Sequence, residues 1–283
     1  MEASQQIWKN RRDLGKSKWT ISGSSVAGLR TSFYIPELKI LLDSGYHNFN
    51  NVSEIFITHQ HADHVASLPL NILENIHHKI ITNIYCPNDC LKFIENMVEA
   101  FLACNFNNYS LPKKLYNFYP MCTKYKLTKN FNNTELCIET FESDHSVPTL
   151  SYGFIEKKKK IKEEYIGLDK DEIIELKSKR VELTQVILNK KFVFCGDTTS
   201  NIFRENPEIL EYENILVECT FFDNKDIILS KERKHMHWND LKVVILDNPL
   251  VNFYIIHRSA KHSDNRRLEE EYFTSINNVF LLD

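Results

Sequence analysis

Three histidines and one aspartate fall within six residues, His59-Gln60-His61-Ala62-Asp63-His64. A lone buried histidine is usually a packing residue, but four such groups in one short arc would each need a buried partner. Imidazole and carboxylate are the ligands that zinc, iron and manganese accept, and an arc this dense can serve two adjacent metals. The chemistry expected of such a pair is hydrolysis, because cations lower the pKa of water and polarise a carbonyl or phosphoryl oxygen.

Further groups of the same kind recur, each at the end of an apolar run. Leu136 to Phe141 leads to Asp144-His145, Phe192 to Cys195 leads to Gly196-Asp197, and Phe253 to Ile256 leads to His257. Asn214 to Val217 ends in Glu218, and His235 and His237 precede the helix-like Trp238 to Leu246. A carboxylate that holds a histidine can set its tautomer and keep it protonated, which suits proton delivery to a leaving group. For Glu218, pairing with a surface lysine is an equal alternative.

These side chains need elements to position them. Thr31 to Ile35, Lys39 to Leu42, Glu54 to Ile57, Leu136 to Phe141, Lys191 to Cys195, Ile215 to Val217 and Phe253 to Ile256 read as strands. Val65 to Ile76, Cys90 to Ala103, Leu168 to Lys179 and Trp238 to Leu246 have helical spacing, so the chain is expected to be mixed α/β. An extended continuation past Thr58 would put His59, His61 and Asp63 on one side, with His64 beginning the next helix. Loops at the carboxyl ends of strands are where such proteins assemble their sites. The segment 156–191 is rich in Lys and Glu, interrupts the strand pattern, and reads as a charged surface insertion with a solvated or mobile face.

With 283 residues, 42% hydrophobic, the chain can bury the core of one sizeable domain over 1–283, in which 1–18 can be loosely ordered. A formal net charge of −3 advertises no global nucleic-acid field, so an RNA partner would be held by local patches. No run approaches membrane-spanning length and no apolar leader opens the chain. The seven cysteines are scattered, as expected of reduced thiols, and Cys86 and Cys90 lack the second pair of a structural zinc site. An intracellular, soluble protein is expected, cytoplasmic first and nuclear second. Phosphate-cradling glycine loops are missing.

Taken together, the ordered set resembles the metallo-β-lactamase fold superfamily, and within it the short-form tRNase Z family, closest to the plant-type enzymes. The resemblance runs from about residue 20 to 283. It rests on the run His59 to His64 and on Asp144-His145-Ser146-Val147-Pro148, Ser151-Tyr152-Gly153-Phe154, Phe194-Cys195-Gly196-Asp197-Thr198-Thr199, Val217-Glu218-Cys219-Thr220-Phe221 and Ile256-His257-Arg258-Ser259-Ala260. Glu163-Glu164-Tyr165-Ile166-Gly167-Leu168 within the insertion also looks plant-type. The resemblance implies a four-layer αββα fold, two facing mixed sheets flanked by helices. It implies two divalent ions, zinc first with Mn2+ or Fe2+ as alternatives, one on His59, His61 and His145, the other on Asp63, His64 and His257, with Asp197 bridging. Asp43 matches the superfamily's early structural aspartate. Asp63, Glu218 and His235 are the expected catalytic residues, with His237 the alternative proton donor.

The implied activity is endonucleolytic removal of the 3′ trailer from precursor tRNA, by attack of a metal-bridged hydroxide, with a homodimer as the expected assembly. Lys157, Lys158, Arg258 and Lys261 are the substrate-binding candidates, and Lys113-Lys114, Lys124 to Lys129, Lys157 to Lys160 and Lys177 to Arg180 the candidate phosphate-contacting groups. The chain departs from the family pattern in four places. Lys234 stands where glycine usually precedes the catalytic histidine, Arg258 where phenylalanine follows the last ligand, Lys261 where arginine is usual, and Asn75 where an arginine is common. Rival readings are another hydrolase on this fold, acting on a β-lactam, lactone, thioester or nucleic acid, and an RNA-binding scaffold with a decayed site. The complete ligand set disfavours the second.

Overall fold

In the computed structural model, which describes residues 7–48, 50–106, 115–262 and 264–282, each half of the chain builds one seven-stranded sheet. β1 (Arg12–Asp13), β2 (Thr20–Val26), β3 (Arg30–Ile35), β4 (Ile40–Leu42), β5 (Glu54–Phe56), β6 (Thr82–Pro87) and β7 (Tyr116–Met121) lie side by side in chain order. β8 (Lys126–Phe131), β9 (Thr134–Glu142), β10 (Leu150–Ile161), β11 (Thr184–Phe194), β12 (Asn214–Glu218), β13 (Asn252–Ile256) and β14 (Val279–Leu281) do the same. The two sheets share one plan, antiparallel through the first four strands and parallel through the last four.

The expected four layers follow from where the apolar side chains go. Phe33, Ile35, Leu42 and Phe56 of the first sheet meet Tyr152, Phe154, Phe192, Phe194 and Ile256 of the second in a buried cluster between the sheets. Phe154 and Phe192 stack at 4.3 Å there, and Phe56 packs edge-on against Tyr152 at 5.2 Å. The helices Leu68–His77 and Asn88–Phe106 cover the outer face of the first sheet through Ile72, Cys90, Ile94 and Val98. On the second sheet, the helix Trp238–Asp247 does so through Trp238, Leu241 and Ile245. Strands buried on both faces read as apolar runs, unbroken in β4 and flanked by buried polar residues in β12, where Asn214 and Glu218 bracket Ile215, Leu216 and Val217.

Several expectations are corrected. The expected helix Val65 to Ile76 is two helices, Ala62–Val65 and Leu68–His77, because Pro69 sits in the first turn of the second, where a missing N–H costs nothing. The extended continuation ends earlier than expected: His61 is the last extended residue, and Asp63 lies within the short helix with His64. Residues 156–191 do not interrupt the strands but lengthen them. β10 runs on through Lys160 and pairs with β11 as far as Ile161 opposite Thr184, so Lys157 to Lys160 are strand residues. The helix Lys170–Ser178 at the tip of this hairpin arm opens on a capping box between Asp169 and Glu172. Near the N-terminus, Trp8 and Leu14 are core residues. Among the described residues, no helix is long and apolar enough to cross a membrane.

Candidate metal centre

Every chemistry-bearing strand end projects to one edge of the molecule. Asp43 follows β4, His59 follows β5 by three residues, His145 follows β9, Asp197 follows β11, Glu218 closes β12 and His257 follows β13. Asp43 and His257 have φ of 56° and 54°, in the left-handed region that costs a non-glycine residue about 1–2 kcal/mol. At both positions the chain turns sharply off the strand. Close packing supports the arc: an added Cβ at Gly45 would overlap the Asp63 carbonyl, and one at Gly196 would lie 2.8 Å from Thr149 Cγ2 and Thr58 Cβ.

Two groups of ring nitrogens converge. In the first, His59 Nε2 lies 3.0 Å from His61 Nδ1, which lies 3.3 Å from His145 Nε2. In the second, His64 Nε2 lies 3.4 Å from His257 Nε2, which lies 3.2 Å from Asp63 Oδ2. Ligands held about 2.0–2.1 Å from a tetrahedral zinc sit roughly 3.3 Å apart, so both groups have the span of a filled metal site. Asp197 stands between them, with Oδ1 3.4 Å from His64 Nε2 and Oδ2 3.8 Å from His59 Nε2 and 3.5 Å from His257 Nε2. The donor atoms of His59, His61, His145 and Asp197, and those of Asp63, His64 and His257, all lie within 4.8 Å of one another inside each group. The residues fit two divalent cations of the borderline kind that accept imidazole and carboxylate.

The ligands divide electrostatically: against the cost of burial, Asp197 and Asp43 raise His64 well above its ordinary pKa, so in the metal-free cluster this ring carries the positive charge. Burial and the neighbouring imidazole of His64 push His59 well below its ordinary pKa, leaving a neutral ring able to coordinate. Burial works against the charge of Asp63, yet the hydrogen bond from His257 and the charge of His64 bring its carboxyl down to about 2. Asp197, fully enclosed, is held well below the carboxylate range by His257 and His64 against the cost of burial.

A second pairing sits beside this cluster. His235 Nδ1 lies 2.7 Å from Glu218 Oε1, and Glu218 also accepts the backbone N–H groups of Thr198 at 2.9 Å and Met236 at 3.1 Å. Burial disfavours a charge on His235, but Glu218 and Asp197 outweigh it and raise the imidazole to about 9. His237 is not equivalent. Its Nδ1 accepts the N–H of Asn239 to cap the helix Trp238–Asp247, and its Nε2 lies 3.1 Å from Asp223 O, so both ring nitrogens are engaged in structure.

The expected substrate contacts are each engaged with protein partners. Arg258 is buried and its Nη1 donates to His262 O and Asn265 Oδ1. Lys261 is paired with Asp226 and lies 3.6 Å from Asp223. Lys157 pairs with Glu135 and Lys158 with Glu156, about 16 Å or more along β10 from Tyr152 at the site end. Lys129 binds both Glu54 oxygens and Tyr85, Lys126 pairs with Glu139, and Lys179 pairs with Glu175. Lys113-Lys114 lie outside the described residues. Asn75 is buried, bonding Thr82 Oγ1 at 2.8 Å and the Val52 carbonyl, a structural role.

Beyond the expected catalytic and metal-binding residues, other groups stand next to the ligands. Lys234, at φ 53°, accepts at its carbonyl from His145 Nδ1 at 3.1 Å and places Nζ 3.0 Å from Asp144 Oδ1. Thr58 and Thr220 each put a hydroxyl against a cluster histidine. The lysine in place of the usual glycine was a signal for the first; a single hydroxyl gives none.

Solved structures decide the fold. A metallo-β-lactamase fold protein of Bacillus subtilis superposes with a TM-score of 0.58 at 12% identity, covering 92% of this chain and 93% of its own. The chain has the metallo-β-lactamase fold. The human short-form tRNase Z superposes on it with a TM-score of 0.53 at 14% identity, covering 92% of this chain and 94% of its own. In sequence, this metallo-β-lactamase fold chain is similar to the chloroplastic tRNase Z of Arabidopsis thaliana, 26% identical over 222 residues, or 76% of this chain and 60% of that enzyme. It is similar also to a second tRNase Z of the same plant, 27% identical over 229 residues, 79% of each chain. The match thus spans less than two thirds of the chloroplastic enzyme's length. No family model matches the chain.

Proposed function

We propose that this chain is a dimetal phosphodiesterase that removes the 3′ trailer from precursor tRNA by endonucleolytic hydrolysis. One observation carries the reading: two ligand groups converge on Asp197 with the His235–Glu218 pair beside them, in a chain whose sequence relatives are tRNase Z enzymes. His59, His61 and His145 would hold one cation and Asp63, His64 and His257 the other, with Asp197 shared. Zinc suits this donor set, and manganese or iron can replace it. Two such cations supply Lewis acidity toward a phosphoryl oxygen and lower the pKa of an attacking water.

The chain's own groups do the rest. Asp197 keeps the two groups in register by facing both. Glu218 accepts from His235 Nδ1 and so leaves the Nε2 proton available for the departing 3′ oxygen of the tRNA, general acid work that is typically worth about 10²–10⁴ in rate. The main-chain bonds to Glu218 keep that carboxylate from turning away. Phosphates distant from the scissile bond need cations that the centre lacks, and the hairpin arm with Lys157 to Lys160 offers them. In a homodimer, one arm would reach the partner's centre.

The test is a substrate panel with zinc-loaded protein: a precursor tRNA with a 3′ trailer, an unstructured RNA of equal length, a DNA hairpin and a chromogenic β-lactam. Cleavage confined to the precursor tRNA is expected. Faster turnover of the β-lactam or of unstructured RNA would overturn the assignment.

A further inference from the structure

Asp43 and Glu218 are both fully enclosed carboxylates, one at the end of β4 in the first sheet and the other at the end of β12 in the second. Each accepts directly from one histidine: His64 Nδ1 lies 2.7 Å from Asp43 Oδ2, and His235 Nδ1 lies 2.7 Å from Glu218 Oε1. Each also reaches a second histidine through a threonine. Thr58 Oγ1 lies 2.9 Å from Asp43 Oδ2 and 3.0 Å from His59 Nδ1. Thr220 Oγ1 lies 2.7 Å from Glu218 Oε2 and 3.1 Å from His257 Nδ1. Both threonines are buried, and the carboxylates are held by the main-chain N–H groups of Thr58 at 2.7 Å, and of Thr198 and Met236.

A hydroxyl has one proton to donate, while an ionised carboxylate only accepts. The proton therefore points at the carboxylate, and a hydroxyl lone pair faces the imidazole. For Thr220 the His257 carbonyl at 2.9 Å competes for that proton, but the closer, charged Glu218 oxygen makes the stronger bond. An imidazole facing a lone pair must carry its own proton at that nitrogen. We propose that Thr58 and Thr220 are positioning residues whose hydroxyls relay Asp43 and Glu218 to the Nδ1 of His59 and His257, fixing both rings as Nδ1–H tautomers with Nε2 bare toward the cluster.

The consequence is a division of labour that the ligand list does not contain. Asp43 orients two rings, His64 directly and His59 by relay, one from each ligand group. Glu218 serves the proton donor directly and His257 by relay, so one carboxylate links the proton-delivering histidine to the second ligand group. The inference rests on the reading that the cluster holds cations, because a bare Nε2 is what coordination needs.

Four variants and one spectrum test it: Thr58→Val, Thr220→Val, Thr58→Ser and Thr220→Ser, with zinc affinity read by chelator competition, and histidine 15N NMR on the wild-type protein with and without zinc. Loss of an outer partner typically weakens metal binding by about 10–100-fold. Each valine variant should weaken one of two zinc equivalents by that much, and each serine variant should restore it. Two zinc equivalents with unchanged affinity in both valine variants would overturn the inference and leave the dimetal reading standing. A wild-type protein that binds no divalent ion would sink the dimetal reading instead. The metal-free spectrum then decides the relay: protons on Nδ1 of His59 and His257 support it, and protons on Nε2 overturn it. The same spectrum decides if a valine variant fails to fold.

Discussion

His235 donates from Nδ1 to Glu218 Oε1 at 2.7 Å, and this bond turns the opposite ring nitrogen away from the carboxylate. Because Glu218 is enclosed and held by four further donors, Thr198 N, Met236 N, Thr220 N and Thr220 Oγ1, the imidazole is aimed rather than merely charged. His235→Ala should therefore keep both metal equivalents and slow cleavage by roughly 10²–10⁴. A precursor tRNA with sulfur in place of the scissile 3′ oxygen separates the roles, since a thiolate leaves without a proton. The defect of His235→Ala should shrink toward wild type on that substrate, and an equal defect on both would show that His235 acts some other way.

Asp197→Ala should behave differently. Asp197 lies within 4 Å of ring nitrogens from both ligand groups, so its loss removes the shared anion and leaves five histidines facing one another. Metal content, measured after gel filtration, should fall together with activity. Saturating zinc should raise the melting temperature of the wild-type protein, as any ligand of the native state does, and should do much less for the variant. Full metal content in an inactive variant would contradict the shared-ligand role.

Lys234 holds a left-handed backbone at φ 53°, where glycine is strain-free, and its ammonium sits 3.0 Å from Asp144. Asp144 is further held by Thr199 Oγ1 and Asn201 Nδ2, both at 2.8 Å. The ion pair is half-exposed, worth at most about 1 kcal/mol, whereas the strain costs about 1–2 kcal/mol. Lys234→Gly should then unfold at the same or higher temperature than wild type, and Lys234→Ala, which keeps the strain and loses the pair, should unfold lower. Equal melting temperatures for the two variants would show that the backbone there is not strained.

Glu54, Tyr85 and Lys129 join the two sheets at a point remote from the chemistry. Lys129 Nζ lies 2.8–2.9 Å from both Glu54 oxygens and 2.9 Å from Tyr85 Oη, reaching from β8 to β5 and β6. Lys129→Met strands a buried carboxylate. Breaking a buried pair costs about 3–5 kcal/mol, and partial exposure of this lysine discounts that to about 2. Urea unfolding should register the loss, and adding Glu54→Gln should recover much of it, with cleavage unaffected in both.

The ligand residues were legible because each is a metal-binding type placed at the end of an apolar run, and the parallel strands of both sheets deliver such ends to one edge. The short helix that carries Asp63 and His64 was not, since one turn leaves no periodicity to detect. Nor was the arm: Val186 and Leu188 alternate with polar residues on β11, but the lysines opposite them on β10 mask the pairing. The partners of Arg258 and Lys261 were not legible, for a physical reason. A cation in the sequence does not reveal its partner, and theirs, Asn265, His262 and Asp226, become neighbours only when the loop after β13 folds back. Thr58 and Thr220 were silent for the same reason, because what matters is which carboxylate each hydroxyl meets.

The most direct measurement is the chemistry of the ends left on a precursor tRNA with a 3′ trailer after incubation with the zinc-loaded protein. Attack by water with departure of the tRNA's 3′ oxygen predicts a 3′-hydroxyl just after the discriminator base and a 5′-phosphate on the trailer. A 2′,3′-cyclic phosphate, a cut elsewhere, or an intact precursor in the presence of two bound zinc ions would contradict the account.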